Sequence, residues 1–235
     1  MLFEQINEGV WARTYLITNE ETLDAVLVDP VLDFIERDEE LLTIRGLKLI
    51  CVMNTHTHAD HVSSAPYLAK NHGCPYIMHE KSKVSCADTL VKDQQSMTFS
   101  GMEFTFHHTP GHTVDSMTIV FQDKLMTGDF LFNGSGGAGR DDLPGGDLQQ
   151  HWDALKKLDD LDDSMLVCSG HDPPGLVEST LGENRKSNPV LGFSEFSQYE
   201  AWQRGEWKKL GYVSRMKYAL PANLSCEMPD PDYFG

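Results

Sequence analysis

The stretch Thr55-His56-Thr57-His58-Ala59-Asp60-His61 gathers imidazoles and a carboxylate, and His112, Asp129 and His171 follow, each just beyond a short apolar run. Imidazole and carboxylate are borderline ligands, deprotonated near neutral pH, and on loops held by a rigid scaffold they suit a catalytic transition metal. With 10 histidines in 235 residues, grouping at these positions points to a metal centre.

Elements able to position such groups are visible around them. Ala25–Val28 before Asp29-Pro30, and Leu49–Met53 before the histidine cluster, have the length and β-branched content of buried strands. Ser63 or Ser64, with Pro66 behind it, starts a helix through Tyr67, Leu68 and Ala69, and Tyr76-Ile77-Met78 is the next strand. Phe104 and Phe106 alternate with polar residues ahead of His112, and Met117–Phe121 leads to a turn at Gln122-Asp123, which predicts a hairpin. Leu125-Met126 delivers Asp129. Leu148, Trp152, Leu155 and Leu158 keep helical spacing before Met165–Cys168 delivers His171. Ligand groups thus stand at the exits of successive strands. The pattern predicts an α/β chain of two β-layers sandwiched by helices, with the site along one sheet edge where loops converge. A doubly wound sheet fits the same alternation. Residues 1–235 read as a single domain, and the segment from about 190 to 235, carrying Phe193, Phe196, Tyr199, Trp202 and Trp207, reads as a helical C-terminal appendage whose aromatics pack on the body.

A hydrophobic content of 40% supports a sizeable core, and the net charge of -17 disfavours nucleic acid or an anionic membrane as a partner. Cys51, Cys74, Cys86, Cys168 and Cys226 include no Cys-x-x-Cys pair and are odd in number, which predicts neither a disulfide framework nor a thiolate metal site. A reducing, cytoplasmic setting follows, with Cys51 and Cys168 as small buried hydrophobes. No stretch approaches a membrane span, and Met1-Leu2-Phe3-Glu4-Gln5 has no basic region followed by an apolar core. A mitochondrial matrix location is compatible if a targeting segment has been removed.

The run His56 to His61, joined by Pro110-Gly111-His112-Thr113, Thr127-Gly128-Asp129 and Gly170-His171-Asp172, resembles the metallo-β-lactamase superfamily. That resemblance implies an αββα four-layer sandwich. Within it the chain is similar to the persulfide dioxygenases, also called sulfur dioxygenases, with type II glyoxalases next. Thr14-Tyr15-Leu16 and Ala25–Leu32, the Gly137-Ala138-Gly139-Arg140 loop with Asp142, and Asn188-Pro189 with Leu220–Cys226 carry the dioxygenase likeness across nearly the whole chain. Departures lie where Pro173 and Pro174 replace an expected tyrosine, Ala138 a cysteine and Asp141 a neutral threonine. Asp141 adds negative charge beside a site expected to take an anionic thiol derivative, which bears on the carrier thiol more than on the chemistry.

By the resemblance, a persulfide dioxygenase uses His56, His112 and Asp129 to hold one Fe(II) per chain on a single face. Three adjacent positions remain for O2 and the sulfane sulfur of a thiol persulfide, glutathione persulfide being the expected substrate and sulfite the product. His58, Asp60, His61 and His171 then orient ligands and waters by hydrogen bonds. The hydrolase alternative fills the same positions with two Zn, or Zn with Fe, His58 joining the first metal, Asp60, His61 and His171 holding the second, and Asp129 bridging. That dinuclear set activates water against a thioester, as in type II glyoxalases. A metal-bearing interaction module without catalysis is the third reading, and it sits poorly with so many polar ligands and no cysteine among them. Arg140 and Arg185 are the candidates for substrate carboxylates, against the alternative of surface ion pairs. His72, His79, His107, His108 and His151 read as structural or surface groups. Related dioxygenases imply a homodimer.

Overall fold

In the computed structural model, residues 1–7, 12–172, 178–211 and 213–234 are described. Pro173 and Pro174, the residues that replace the expected tyrosine, lie outside them. Among the described residues the chain runs β1 (Leu2–Gln5), β2 (Tyr15–Asn19), β3 (Asp24–Val28), α1 (Ile35–Arg45), β4 (Lys48–Met53), α2 (Ala65–His72), β5 (Tyr76–His79) and β6 (Thr89–Val91). It continues through β7 (Gln95–Phe99), β8 (Met102–His108), β9 (Met117–Phe121), β10 (Lys124–Gly128), α3 (Leu148–Leu155), β11 (Leu166–Ser169) and β12 (Ser179–Thr180). Four helices close it: α4 (Leu181–Ser187), α5 (Pro189–Gly192), α6 (Phe196–Leu210) and α7 (Met216–Ser225).

Two sheets form, ordered β1-β2-β3-β4-β5-β6 and β12-β11-β10-β9-β8-β7. This decides against the doubly wound alternative. In the first sheet β3, β4, β5 and β6 pair in parallel, which requires both faces to be covered. The side chains comply by alternation: Val26 and Val28 face the second sheet, while Ala25 and Leu27 face Leu42 of α1 and Leu68 of α2. Phe104, Phe106, Ile119, Phe121 and Met126 meet the first sheet from the other side. Leu125 and Val167 turn outward onto Trp152 of α3 and Tyr199 of α6, which completes helix, sheet, sheet, helix.

The local readings hold where their chemistry is local. Helix α2 starts after Ser64 with Pro66 in its first turn and stops at the left-handed Gly73. Gln122-Asp123 turns β9 into antiparallel β10. Cys51 and Cys168 are fully buried between the sheets.

The reading of the cysteines is corrected. Cys86 and Cys226, 140 residues apart, form a disulfide; Cys51, Cys74 and Cys168 remain free. Only the packing of α7 beside the segment after β5 brings that pair together, and sequence spacing carries no trace of it. Among the described residues no helix is long and apolar enough to cross a membrane.

Candidate metal centre

Strand exits deliver the predicted groups to one place: His56 follows β4, Asp129 follows β10, His171 follows β11, and His112 lies on the loop between β8 and β9. One ligand atom each of His56, His112 and Asp129 lies within 4.8 Å of the others, and a second such group is formed by His58, Asp60 and His61. His171 links the two sets, its Nε2 standing 3.3 Å from Asp60 Oδ2 and 3.6 Å from Asp129 Oδ1.

Hydrogen bonds fix which nitrogen of each key imidazole faces the centre. Thr55 donates through its amide and hydroxyl to Asp29 at 2.8 Å each. With its proton committed there, the Thr55 oxygen accepts from Nδ1–H of His56 at 3.0 Å. His112 donates from Nδ1 to the carbonyl of Arg140 at 2.5 Å. Both rings therefore keep an Nε2 lone pair for a metal. His58 donates from Nε2 to Asp29 at 3.0 Å.

Among the described residues, the buried side-chain atoms without a hydrogen-bond partner include His56 Nε2, His58 Nδ1 and Asp129 Oδ1 at this site. Leaving such atoms unsatisfied is costly, and a cation in their midst would satisfy them. The backbone is cut close around the carboxylate as well. A Cβ on Gly170 would meet Asp129 Oδ1 at 2.5 Å, and one on Gly139 would meet the Asp129 carbonyl at 2.2 Å. The donor set and its fit suit a bound metal ion.

Titration follows from this crowding. Burial, then the neighbouring His58, holds His56 well below the usual imidazole range, so it is neutral and ligand-ready. Burial works against the Asp129 carboxylate, but the neighbouring His171 outweighs it and holds its pKa down. Asp60 is likewise held well below the usual range, burial being overcome by His61 and His171. For His171, burial opposes the charge while Asp129 and Asp60 lift the imidazole to about 9.

A cavity of about 820 Å³ opens over these residues, lined by Asp60, His112, Asp129 and His171 together with Phe132, Arg140, Leu143, Leu210, Val213 and Arg215. Arg140 lies on its wall, forked onto Asp142 at 2.6 and 2.8 Å and donating to the Gly211 carbonyl at 2.6 Å. Arg185 is not brought there. Its guanidinium binds Asp163, Asp159 and the Leu158 carbonyl, because α4 turns that face toward the acidic segment after α3. Asp141 also departs from expectation: it is buried away from the cavity, accepting from Tyr199 at 3.0 Å with His151 Nδ1 at 3.5 Å. Its charge therefore faces a core network and not the cavity.

Sequence reasoning missed several supports. Asp29 anchors Thr55 and His58 from a left-handed backbone with φ of 52°; its place at the end of an apolar run was the available signal. Asp115 accepts from Thr57 and Thr113 and so ties the His56–His61 loop to that of His112. Asn223 donates to the His58 and His61 carbonyls at 2.8 and 2.9 Å and accepts from Ser63 N–H at 2.9 Å. Arg215 reaches the cavity from the appendage, beyond any local motif.

Comparison with known proteins agrees with this geometry. A family model described as the metallo-beta-lactamase superfamily matches residues 12–171. The mitochondrial persulfide dioxygenase ETHE1 of Homo sapiens is 33% identical over 238 residues, covering 98% of this chain and 91% of that protein. The crystal structure of ETHE1 from Myxococcus xanthus is similar with a TM-score of 0.89 at 32% identity, over 97% of this chain and 100% of that one. TTHA1623 in a di-iron-bound form is similar with a TM-score of 0.65 at 26% identity, over 81% and 100% of the two chains.

Proposed function

The chain belongs to the metallo-β-lactamase superfamily, and from that premise we propose that it is an iron-dependent persulfide dioxygenase acting on a low-molecular-weight thiol persulfide, glutathione persulfide above all. The observation that carries this reading is the set of two imidazoles and one carboxylate, with His56 Nε2 and Asp129 Oδ1 buried without a hydrogen bond, in a chain alike over nearly its whole length to ETHE1 proteins. His56, His112 and Asp129 hold the metal. Fe(II) held there would bind O2 and the sulfane sulfur together and pass electrons from the sulfur to O2.

The remaining residues bind and exclude. Arg140 and Arg215 present guanidinium groups to a cavity in an otherwise acidic chain, and they suit the carboxylates of the carrier thiol. Phe132, Leu143, Leu210 and Val213 supply apolar wall that keeps water from the reacting sulfur. Asp60 stands between His61 at 3.0 Å and His171 at 3.3 Å, so its oxygens are already matched to imidazoles. In this reading Asp60, His61, His58 and His171 steady the ligand loops. Residues 1–235 act as one unit, with the appendage walling the cavity.

The second cluster supports one alternative, a dinuclear thioester hydrolase of the type II glyoxalase kind with two Zn or Zn and Fe. Metal analysis of protein purified without added metal, paired with O2 uptake on glutathione persulfide, separates the two. About one iron per chain and sulfite formation fit the dioxygenase. A zinc pair, no O2 uptake and cleavage of lactoylglutathione establish the hydrolase.

A further inference from the structure

We propose that the Cys86–Cys226 disulfide is a thiol-exchange site for low-molecular-weight thiols, and that its state sets the rigidity of the His56–His61 loop through Asn223. The disulfide is accessible. Cys86 is exposed and Cys226 partly so, and both line a cavity of about 690 Å³ together with Cys74, Tyr67, Tyr76 and Asp88. This cavity shares no lining residue with that over the metal ligands.

The tether acts on a helix with little else to hold its end. Pro221 interrupts the backbone ladder of α7, and Cys226 caps it in a left-handed conformation with φ of 61°. Beyond the disulfide, the final carbonyls are held by Ser85, whose amide donates to Leu224 O at 2.9 Å and whose hydroxyl donates to Ser225 O at 3.0 Å. Cys86 is the next residue, so the crosslink also fixes these two bonds. One helical turn before Cys226 stands Asn223, whose side chain bridges His58, His61 and Ser63. Freeing the end of α7 therefore loosens a three-point clamp on the loop that carries the metal ligands.

Exchange is a balanced two-step reaction. A thiolate attacks Cys86 Sγ, the S–S bond breaks, and Cys226 leaves with the electron pair and takes up a proton. A second thiolate attacks the carrier sulfur of the mixed disulfide, which releases the carrier disulfide and leaves Cys86 as a thiol. Two thiols are oxidised and the protein disulfide is reduced. Cys74 does not serve as the attacking group, since burial and then Asp88 push its thiol up to about 11.

The test uses the full chain purified without reductant and then treated with reduced glutathione. Peptide mapping shows a Cys86–Cys226 crosslink before treatment, and glutathione adducts or free thiols at those two residues afterwards. Hydrogen exchange at the Ser63 amide accelerates by about tenfold on reduction, as expected when a local clamp opens. Cys86→Ser gives that acceleration without reductant, and Asn223→Ala gives it in both redox states. Exchange is read without metal or turnover, so its outcome is distinct from that of the dioxygenase assay. A chain with no crosslink, a crosslink that resists glutathione, or Ser63 exchange unchanged after cleavage overturns the proposal.

Discussion

The carbonyl of Arg140 accepts from Nδ1 of His112 at 2.5 Å, so the loop that brings Arg140 to the cavity wall also fixes the tautomer of an imidazole at the candidate metal centre. Backbone and side chain of one residue thus serve separate ends. The tautomer depends on the peptide, which any residue supplies, whereas the proposed carboxylate recognition would depend on the guanidinium.

Substituting Arg140→Ala separates those roles. KM for a carboxylate-bearing persulfide rises by about tenfold with kcat within about a factor of two, because uniform binding is lost and no ligand is touched. Metal content measured by atomic absorption stays at the level of the unmodified chain. Unchanged KM assigns the Arg140 fork on Asp142 a structural role only.

Asp129→Ala and His171→Ala distinguish one metal from two. Asp129 belongs to the group with His56 and His112, and its loss removes the only carboxylate there, so metal retention and turnover both vanish. His171 meets Asp60 and Asp129 without sharing that group, so His171→Ala keeps most of the bound metal after gel filtration. Equal loss of metal from both variants supports the dinuclear alternative.

What the sequence reveals about this site depends on how local each cause is. His56, His112, Asp129 and His171 are legible because each follows an apolar run whose strand character is intrinsic, and the exits of strands from both sheets, β4 of the first and β8, β10 and β11 of the second, bring them to one site. Arg185 and Asp141 are not, since both carry charges whose partners lie across the fold: Asp159 and Asp163 for one, Tyr199 and His151 for the other. Asn223 and Arg215 come from the C-terminal helices, and only tertiary packing sets them against residues more than 150 positions earlier, such as His58 and Asp33. The Cys86–Cys226 pairing has the same origin.

Asp172 and Arg13 form a buried pair at 2.8 Å, with side-chain exposures of 0% and 10%. Asp172 also accepts from the Asn133 amide and the Ser169 hydroxyl, both at 2.8 Å. Asp172→Ala strands the arginine charge and lowers unfolding free energy by about 3–5 kcal/mol in denaturant titration. Replacing both partners, Arg13→Met with Asp172→Leu, recovers part of that loss because no unpaired charge remains. A single variant as stable as the parent refutes the pair's contribution.

His79 sets an acid limit on stability. Its ring stacks on His108 at 3.9 Å between centroids, 8° from parallel, and its Nδ1 accepts from the Lys81 amide. Burial, then the proximity of His108, lowers its pKa to about 4, against an unfolded value near 6.5. Between those values the unfolded chain binds more protons than the folded one, so stability rises with pH across that window. Stability from His79 is complete above about pH 6.5 and is lost as pH falls toward 4, a contribution of roughly 1–3 kcal/mol. Urea midpoints measured at pH 7 and pH 5 therefore converge in His79→Gln relative to the parent. A variant whose pH dependence matches the parent's across that range places the acid sensitivity elsewhere.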